Sequence, residues 1–251
     1  MSNFFIALLT VFCFAAVAQE ASPAVKHNMS QKVLLEKMDK AVDPKEVAKK
    51  WKTLVVEMQM AVPMQQQKMA ITVMYKFPDK NKGIAKIPGV PTIIQVFNGK
   101  QAWKETVGLG IQMKSGIQLA FAKFECKKSN PALKQTEIYE KITLDPHLYK
   151  VGKFSCYKLI CTLPAELKVE PSQIFVDNKD FLIRRSIENQ LTDMGVIPVS
   201  IDVADYKIMS GIKIATAIKT NIMGIEIVGK ILSLKVDTKI ADSEFKLPND
   251  K

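Results

Sequence analysis

The chain has 251 residues, of which 47% are hydrophobic, and a formal net charge of +11 at pH 7. This length suits one large domain, or two small ones, with a sizeable hydrophobic core, and we favour one domain. The positive charge favours anionic partners, such as phospholipid headgroups or an acidic protein surface, although a basic solubilising surface explains it equally well.

The chain begins with a segment typical of a secretory signal. Residues 4–17 (FFIALLTVFCFAAV) form an apolar run without any charged residue, which is long enough for a signal and too short to span a bilayer. The small residues Ala16 and Ala18 predict cleavage after Ala18, whereas the absence of Lys and Arg from residues 1–3 leaves a retained anchor as the alternative. Cys13 follows bulky residues and is not expected to carry a lipid. An exported protein without a nucleic-acid-binding motif is not expected to bind nucleic acid.

The rest of the chain contains no second apolar run of membrane-spanning length, so the mature protein is expected to be soluble. Residues 19–29 are predicted to be a flexible segment, and residues 30–251 a single domain. The first part of this domain, residues 30–50, has a helical apolar stripe, with Ser30 as a plausible N-cap. Asp43 and Pro44 suit the start of a second helix.

From Trp51 onward the apolar period is two, which is typical of half-buried strands. Asn98-Gly99 and residues 177–180 predict turns between strands. Residues 115–127 fit a short helix better than a strand. Eleven strands are predicted, at residues 54–62, 71–77, 92–97, 101–107, 137–144, 154–162, 172–177, 181–188, 196–206, 211–220 and 225–236. Such a succession predicts a mainly β fold, an antiparallel meander curved into an open barrel.

Three cysteines follow the signal, at positions 126, 156 and 161. The odd number leaves at least one free thiol or an intermolecular bond. Cys156 and Cys161 are an odd number of residues apart in one predicted strand, so they point to opposite faces and are not expected to pair. We favour buried free thiols; any disulfide would have to include Cys126.

The sequence has little of what catalysis requires. Its two histidines are His27, in the predicted flexible segment, and His147, predicted to lie in a loop after Asp145-Pro146. Neither belongs to a metal-binding or nucleophile motif, and no phosphate-binding loop is present. We expect neither an enzyme nor a metal or cofactor, although two carboxylates meeting across a sheet could still form a glycosidase site.

The first two strands are rich in methionine, with five methionines between residues 58 and 74. Methionine is flexible and suits surfaces that accommodate apolar ligands of varying shape, although it also fills gaps in ordinary cores. A ligand-binding cavity would be lined by alternate residues of these strands, namely Leu54, Val56, Met58, Met60, Ile71, Val73, Tyr75 and Phe77.

Several segments, in order, fit a set of strand-and-turn patterns that occur together in one known superfamily. Residues 96–103 (VFNGKQAW) resemble a hairpin pattern F-x-G-x-x-x-W. Residues 151–159, 174–185, 205–214 and 245–248 resemble later strand-and-turn patterns that include Y-x-L, D-x-x-T-G-L-I-x-R and F-x-x-P. Two positions depart from the pattern: Lys179-Asp180 replaces a hairpin glycine, and Ala215 replaces a proline.

Taken together, these segments resemble the LolA/LolB-like superfamily, in its outer membrane lipoprotein-sorting branch. The resemblance implies a half-open antiparallel barrel of about eleven strands, with N-terminal and central helices covering its mouth. It also implies a periplasmic carrier that binds acyl chains of lipoproteins or other lipids in an apolar cavity, with membrane-bound donor and acceptor proteins as possible partners. No arginine aligns with the one that helps to hold ligand in the lipoprotein carriers. The alternative function on the same fold is a non-catalytic sensor or regulator of envelope stress.

Overall fold

A computed structural model describes residues 23–63, 67–192 and 195–248. These residues contain three α-helices, α1 (Gln31–Val42), α2 (Gly116–Lys128) and α3 (Gln135–Ile138), and short 3-10 helices at Val47–Lys50, Ala165–Leu167 and Asp242–Phe245. The predicted signal, residues 1–18, lies outside the described residues, so its cleavage stays a prediction.

The described residues also contain fourteen strands in one antiparallel sheet, in the spatial order β1-β8-β9-β10-β11-β12-β13-β14-β2-β3-β4-β5-β6-β7. The curved sheet does not close, because β1 and β7 are edges, and its two halves join where β14 pairs with β2. The strand bounds are β1 Pro23–Lys26, β2 Thr53–Val62, β3 Gln67–Lys76, β4 Lys80–Lys86, β5 Ile93–Phe97, β6 Ala102–Thr106, β7 Gly110–Lys114, β8 Lys141–Val151, β9 Phe154–Thr162, β10 Ser172–Asp177, β11 Ile183–Thr192, β12 Gly195–Met209, β13 Ile212–Ile222 and β14 Ile225–Val236.

The prediction of a mainly β, half-open barrel is confirmed, but the number of strands was too low by β1, β4 and β7. Strand β4 was not predicted, because its buried positions hold Asn81, Gly83 and Ala85, which give no apolar alternation. Strand β7 is almost wholly exposed. Strand β1 lies in the segment predicted to be flexible and pairs with β8. All three owe their structure to their neighbours in the sheet rather than to local pattern.

The helices pack on one face of the sheet, which we call the inner face. Leu34 and Met38 of α1 and Phe121 and Phe124 of α2 join a buried cluster with inward residues of β8–β10, including Leu159. The predicted cap of α1 is confirmed, because Val33 donates its N–H to Ser30 Oγ at 3.3 Å. The predicted second helix is a 3-10 helix that begins at Val47 rather than at Pro44, and the Asp43 carboxylate accepts from two of its N–H groups, both at 2.8 Å. These caps stabilise the start of each helix beside the inner face.

The three cysteines are free and buried, as expected. Cys161 belongs to the cluster beneath the helices, whereas Cys156 packs with Tyr149 and Phe175 on the opposite, outer face of the sheet. The alternation of the strand therefore separates Cys156 from Cys161 as predicted.

Both predicted turns form. Asn98 Oδ1 accepts N–H groups from Lys100 and Gln101 in the β5–β6 turn. In the β10–β11 turn, Asp177 Oδ1 accepts the N–H of Lys179. The predicted start of a strand at residue 137 is wrong, because residues 135–138 form α3.

The prediction of a loop at His147 is also wrong. This residue lies inside β8, where the register shifts between Leu144 and Leu148. Its Nδ1 is 3.1 Å from Asp145 Oδ1, and Nε2 of His27 is 2.9 Å from the Asp145 carbonyl oxygen. The N-terminal segment is thereby attached to the irregular part of β8.

In the part of the chain that the structure describes, every helix is too short or too polar to cross a membrane.

Candidate functional site

A cavity of about 310 Å³ lies between the helices and the inner face of the sheet. Its helical side consists of α1, the end of α2, residues 129–134 and α3, and its opposite side consists of strands β10 to β14 with Met58 of β2. It is therefore enclosed on one side by helices that are connected to the sheet through loops.

The sheet side of the cavity is mainly aliphatic. Ile212, Ile214 and Ile218 occupy alternate positions on β13 and are buried, as is Ile201 on β12. Ile218 is paired with Val203 on one neighbouring strand and with Gly229 on the other. A Cβ atom on Gly229 would lie 2.9 Å from Ile218 Cγ1, so the missing side chain leaves room for Ile218 beneath the cavity.

The eight residues predicted to line a cavity share the inner face. Cross-strand pairs join Leu54 to Tyr75, Val56 to Val73 and Met58 to Ile71, and the ladder continues from Met60 to Gly229 and Ile218. Met58 reaches the cavity, whereas Leu54, Val56, Met60, Ile71, Val73, Tyr75 and Phe77 lie in the hydrophobic core beside it. Ligand contact by these residues stays a prediction.

The lining residues on β11 to β14 were not predicted from the sequence. Ile212, Ile214 and Ile218 alternate along β13 with one interruption at Thr216, but only the long pairing of β14 with β2 brings β13 next to Met58. The high methionine content of β2 and β3 was the reason for predicting a cavity on these two strands. Apolar alternation alone could have added β13.

A buried ion pair stands in the wall of the cavity. Lys128, the last residue of α2, places Nζ 2.6 Å from Glu188 Oε2 on β11, and the two side chains are only 14% and 5% exposed. Burial acts to lower the pKa of Lys128, but nearby acidic groups, above all Glu188, outweigh it and raise that pKa above its ordinary value. The Lys128 ammonium is therefore charged at neutral pH, and its bond to Glu188 joins the helical side to the sheet.

Two tyrosines also face this cavity. Burial raises the pKa of Tyr139 above its ordinary value, although the neighbouring Lys128 ammonium acts in the opposite direction. Burial likewise raises the pKa of Tyr206, whose hydroxyl donates to the Ile183 carbonyl at 2.7 Å. Both phenols thus remain neutral and add hydrogen-bonding groups to a mostly aliphatic wall.

Charged residues of both signs surround the opening of the cavity. Asp39, Glu46 and Lys49 come from the N-terminal helical region, Lys134 comes from the segment before α3, and Lys213 comes from β13. Burial raises the pKa of Asp39, with Lys134 opposing the effect. The rim is polar, as expected where an apolar cavity meets water.

Within the described residues, no group of three or more His, Cys, Asp or Glu side chains could hold a metal ion.

Three solved structures are similar to this chain over most of its length. A DUF1329 family protein from Desulfovibrio piger is 12% identical, with a TM-score of 0.57 over 86% of this chain and 96% of that one. A LolA superfamily protein from Nitrosomonas europaea is 14% identical, with a TM-score of 0.56 over 88% of this chain and 100% of that one. This chain has a LolA-like fold.

A third structure, of an outer membrane lipoprotein-sorting protein domain from Vibrio parahaemolyticus, shares the LolA-like fold at 12% identity, with a TM-score of 0.53 over 84% of this chain and 95% of that one. No protein-family model matches the sequence, and no curated protein does. The resemblance inferred from the sequence is thus confirmed for the fold.

One feature of the LolA-like pattern is changed beside the cavity. The sequence analysis placed the missing hairpin glycine at residues 179–180, but the left-handed backbone conformation is adopted by Phe181, with φ +59°. Phe181 lines the cavity, and Lys37 Nζ of α1 lies 4.5 Å from the centre of its ring. An unfavourable backbone conformation of this kind costs about 1–3 kcal/mol. Here it presents an aromatic ring where glycine would present none.

Proposed function

We propose that this protein is a non-catalytic periplasmic carrier that binds the acyl chains of lipoproteins or of other lipids. The observation that supports this proposal is the aliphatic cavity of about 310 Å³ between the helices and the inner face of a half-open sheet. A volume near the lower end of the ~300–1,000 Å³ range of ligand pockets suits a single chain.

The driving force would be the burial of hydrocarbon. Each buried methylene contributes about 0.8 kcal/mol, so about ten methylenes supply about 8 kcal/mol before the entropic costs of binding are subtracted. The wall formed by Ile201, Ile212 and Ile218 offers the contacts that this requires. Met58 and its seven predicted neighbours on β2 and β3 would extend the apolar surface if more of the ligand entered.

The helices would act as a movable cover. Only Leu34 and Met38 of α1 are fully buried, so displacing this helix exposes little apolar surface. An entering chain would replace those contacts with its own. Binding and release could then proceed without any covalent chemistry.

A carrier of this kind would work between two membranes. The predicted signal, the basic charge and the likeness to a lipoprotein-sorting domain all support a periplasmic protein that receives its ligand from one membrane-bound partner and delivers it to another. We expect the mature protein to begin at Gln19, which N-terminal sequencing of the protein from its native envelope would check. A chain that retained residues 1–18 would contradict soluble export.

The ligand can be sought directly. Native mass spectrometry of the protein purified from its own envelope should show an adduct with the mass of a lipid or an acylated protein. Consistent absence of any adduct would count against the carrier and in favour of a sensor or regulator.

Binding of a fluorescent fatty acid tests the cavity. Met58→Glu, which places a carboxylate in the aliphatic wall, should abolish binding, whereas Met113→Glu on the exposed face of β7 should leave binding unchanged. Ser186→Phe, which fills the cavity with an apolar ring, provides a second test if Met58→Glu fails to fold. Wild-type affinity in folded Met58→Glu and Ser186→Phe variants would refute the assignment.

A further inference from the structure

The inward side of β11 is polar, although the strand lies within an apolar fold. Its buried positions hold Ser186, Glu188, Gln190 and Thr192, whereas Ile187 and Leu191 alternate with them in less buried positions. This is the reverse of the arrangement expected for a strand that covers a hydrophobic core. These four inward side chains, which we call the polar strip of β11, therefore need partners other than a hydrophobic core.

A second cleft, of about 100 Å³, lies at the end of the polar strip, next to Gln190 and Thr192. Its buried side chains include Asn81, Gln95, Gln190 and Thr192. Towards solvent it is bordered by residues of β6, β7 and α2, including Lys104, Lys114, Gln112, Gln118 and Glu125. Five carboxamides thus line the cleft, together with two lysines, one glutamate, Thr192 and five apolar residues.

One of these carboxamides lacks the partner that burial requires. Gln190 is 5% exposed, and its Nε2 makes no hydrogen bond to any residue that the structure describes. A buried amide without a hydrogen bond destabilises a folded protein. Its presence in the wall of a cleft favours a function in binding.

This mixed cleft lies next to the apolar cavity. Glu188 borders the cavity and Gln190 borders the cleft, and as successive inward residues of one strand they are about 7 Å apart. On the helical side, Lys128 borders the cavity and Glu125 borders the cleft, one turn apart on α2. Neighbouring inward residues of β11 and of α2 thus border the two spaces, close to the Lys128–Glu188 ion pair.

We propose that the cleft binds the polyhydroxylated headgroup of an amphiphile whose acyl chain occupies the cavity; this inference rests on the function proposed above. Carboxamides both donate and accept hydrogen bonds, as hydroxyl groups do, so a row of them matches a sugar or glycerol group. The two lysines and one glutamate leave only a small net charge, so a strongly charged headgroup is not selected. Gln190 Nε2 donates to a hydroxyl oxygen of the ligand.

Amphiphiles that share one chain and differ in the headgroup test this assignment. Titration calorimetry of the mature protein, below the micelle concentrations, compares dodecyl maltoside, dodecyltrimethylammonium and dodecanoate, with free maltose as a fourth arm. We expect dodecyl maltoside to bind at least about tenfold more tightly than the other two amphiphiles, since one retained hydrogen bond is worth about that factor. Free maltose should bind far more weakly, because it lacks the chain.

The variant Gln190→Leu removes the amide and keeps the size of the side chain. It should lose about tenfold in affinity for dodecyl maltoside, with binding of dodecanoate unchanged. Its melting temperature without ligand should rise by about 2–4 °C, because an unpaired buried group is gone. The control Asn189→Leu, on the opposite face of the same strand, should change neither affinity.

The outcomes separate the two proposals. Equal affinities for the three amphiphiles, or maltose binding as tightly as dodecyl maltoside, would overturn the headgroup assignment and leave the carrier in place. A lower melting temperature of Gln190→Leu with unchanged selectivity would show that Gln190 only supports the fold. Failure of every amphiphile to bind would overturn the carrier itself.

Discussion

The buried ion pair between Lys128 and Glu188 offers a quantitative test of how the helices are held to the sheet. Lys128→Met keeps most of the volume and the apolar stem of the side chain but removes its charge. The Glu188 carboxylate, 5% exposed, would then remain buried without the ammonium that lies 2.6 Å away in the folded protein. Removing one partner of such a pair costs about 3–5 kcal/mol.

That cost is large compared with the ~5–15 kcal/mol that stabilises a typical domain. For a chain of this size each kcal/mol lowers the melting temperature by about 2–4 °C, so the variant should melt about 6–20 °C below the wild type. The double variant Lys128→Met with Glu188→Leu should recover most of the loss, because neither charge is then buried.

Urea unfolding of the wild type, both single variants and the double variant gives the coupling energy of the pair. The exposed pair Lys219–Glu226, with atoms 3.6 Å apart and both side chains about half exposed, supplies the control. Lys219→Met should cost less than about 0.5 kcal/mol. If Lys128→Met were no more costly than Lys219→Met, or if the losses in the double variant simply added, the buried pair would not hold the cover in place.

Three further outcomes follow from local structure and can be read from unfolding curves. Asp43→Ala should lower the free energy of unfolding by about 1–2 kcal/mol, because two N–H groups of the 3-10 helix lose their acceptor. A loss below about 0.5 kcal/mol in urea titration would argue against this cap. Burial raises the pKa of Cys126, Cys156 and Cys161 to about 12. Between about pH 9 and 10 the thiols of the unfolded chain therefore lose protons that the folded thiols keep, so the free energy of unfolding should fall by about 1 kcal/mol per thiol per pH unit. Thermal unfolding should show this fall, and a Cys161→Ala variant should show a shallower one. Phe181→Gly should be more stable than Phe181→Ala by about 1 kcal/mol in urea, because φ is +59° there; the opposite order, normal elsewhere in a chain, would refute the left-handed conformation.

The local elements of this protein could be predicted from sequence because their causes lie within a few residues. Ser30 caps α1 through an N–H three residues away, and Asn98 closes the β5–β6 turn through its own neighbours. The period of two marked eleven of the fourteen strands, since a strand with one buried face must alternate. Strand β4 has the small or polar residues Asn81 and Gly83 at buried positions, so no such pattern revealed it.

The candidate site depended on pairing between distant parts of the chain. Alternation showed that Met58 and Ile218 each face one side of a strand, but not that β14 lies between them and places both on one wall. On β11, only the packing of α2 shows that the polar residues Glu188 and Gln190 are buried. Sequence periodicity assigns a residue to a side of its strand, whereas the curvature of the sheet and the position of the helices decide which sides enclose a cavity.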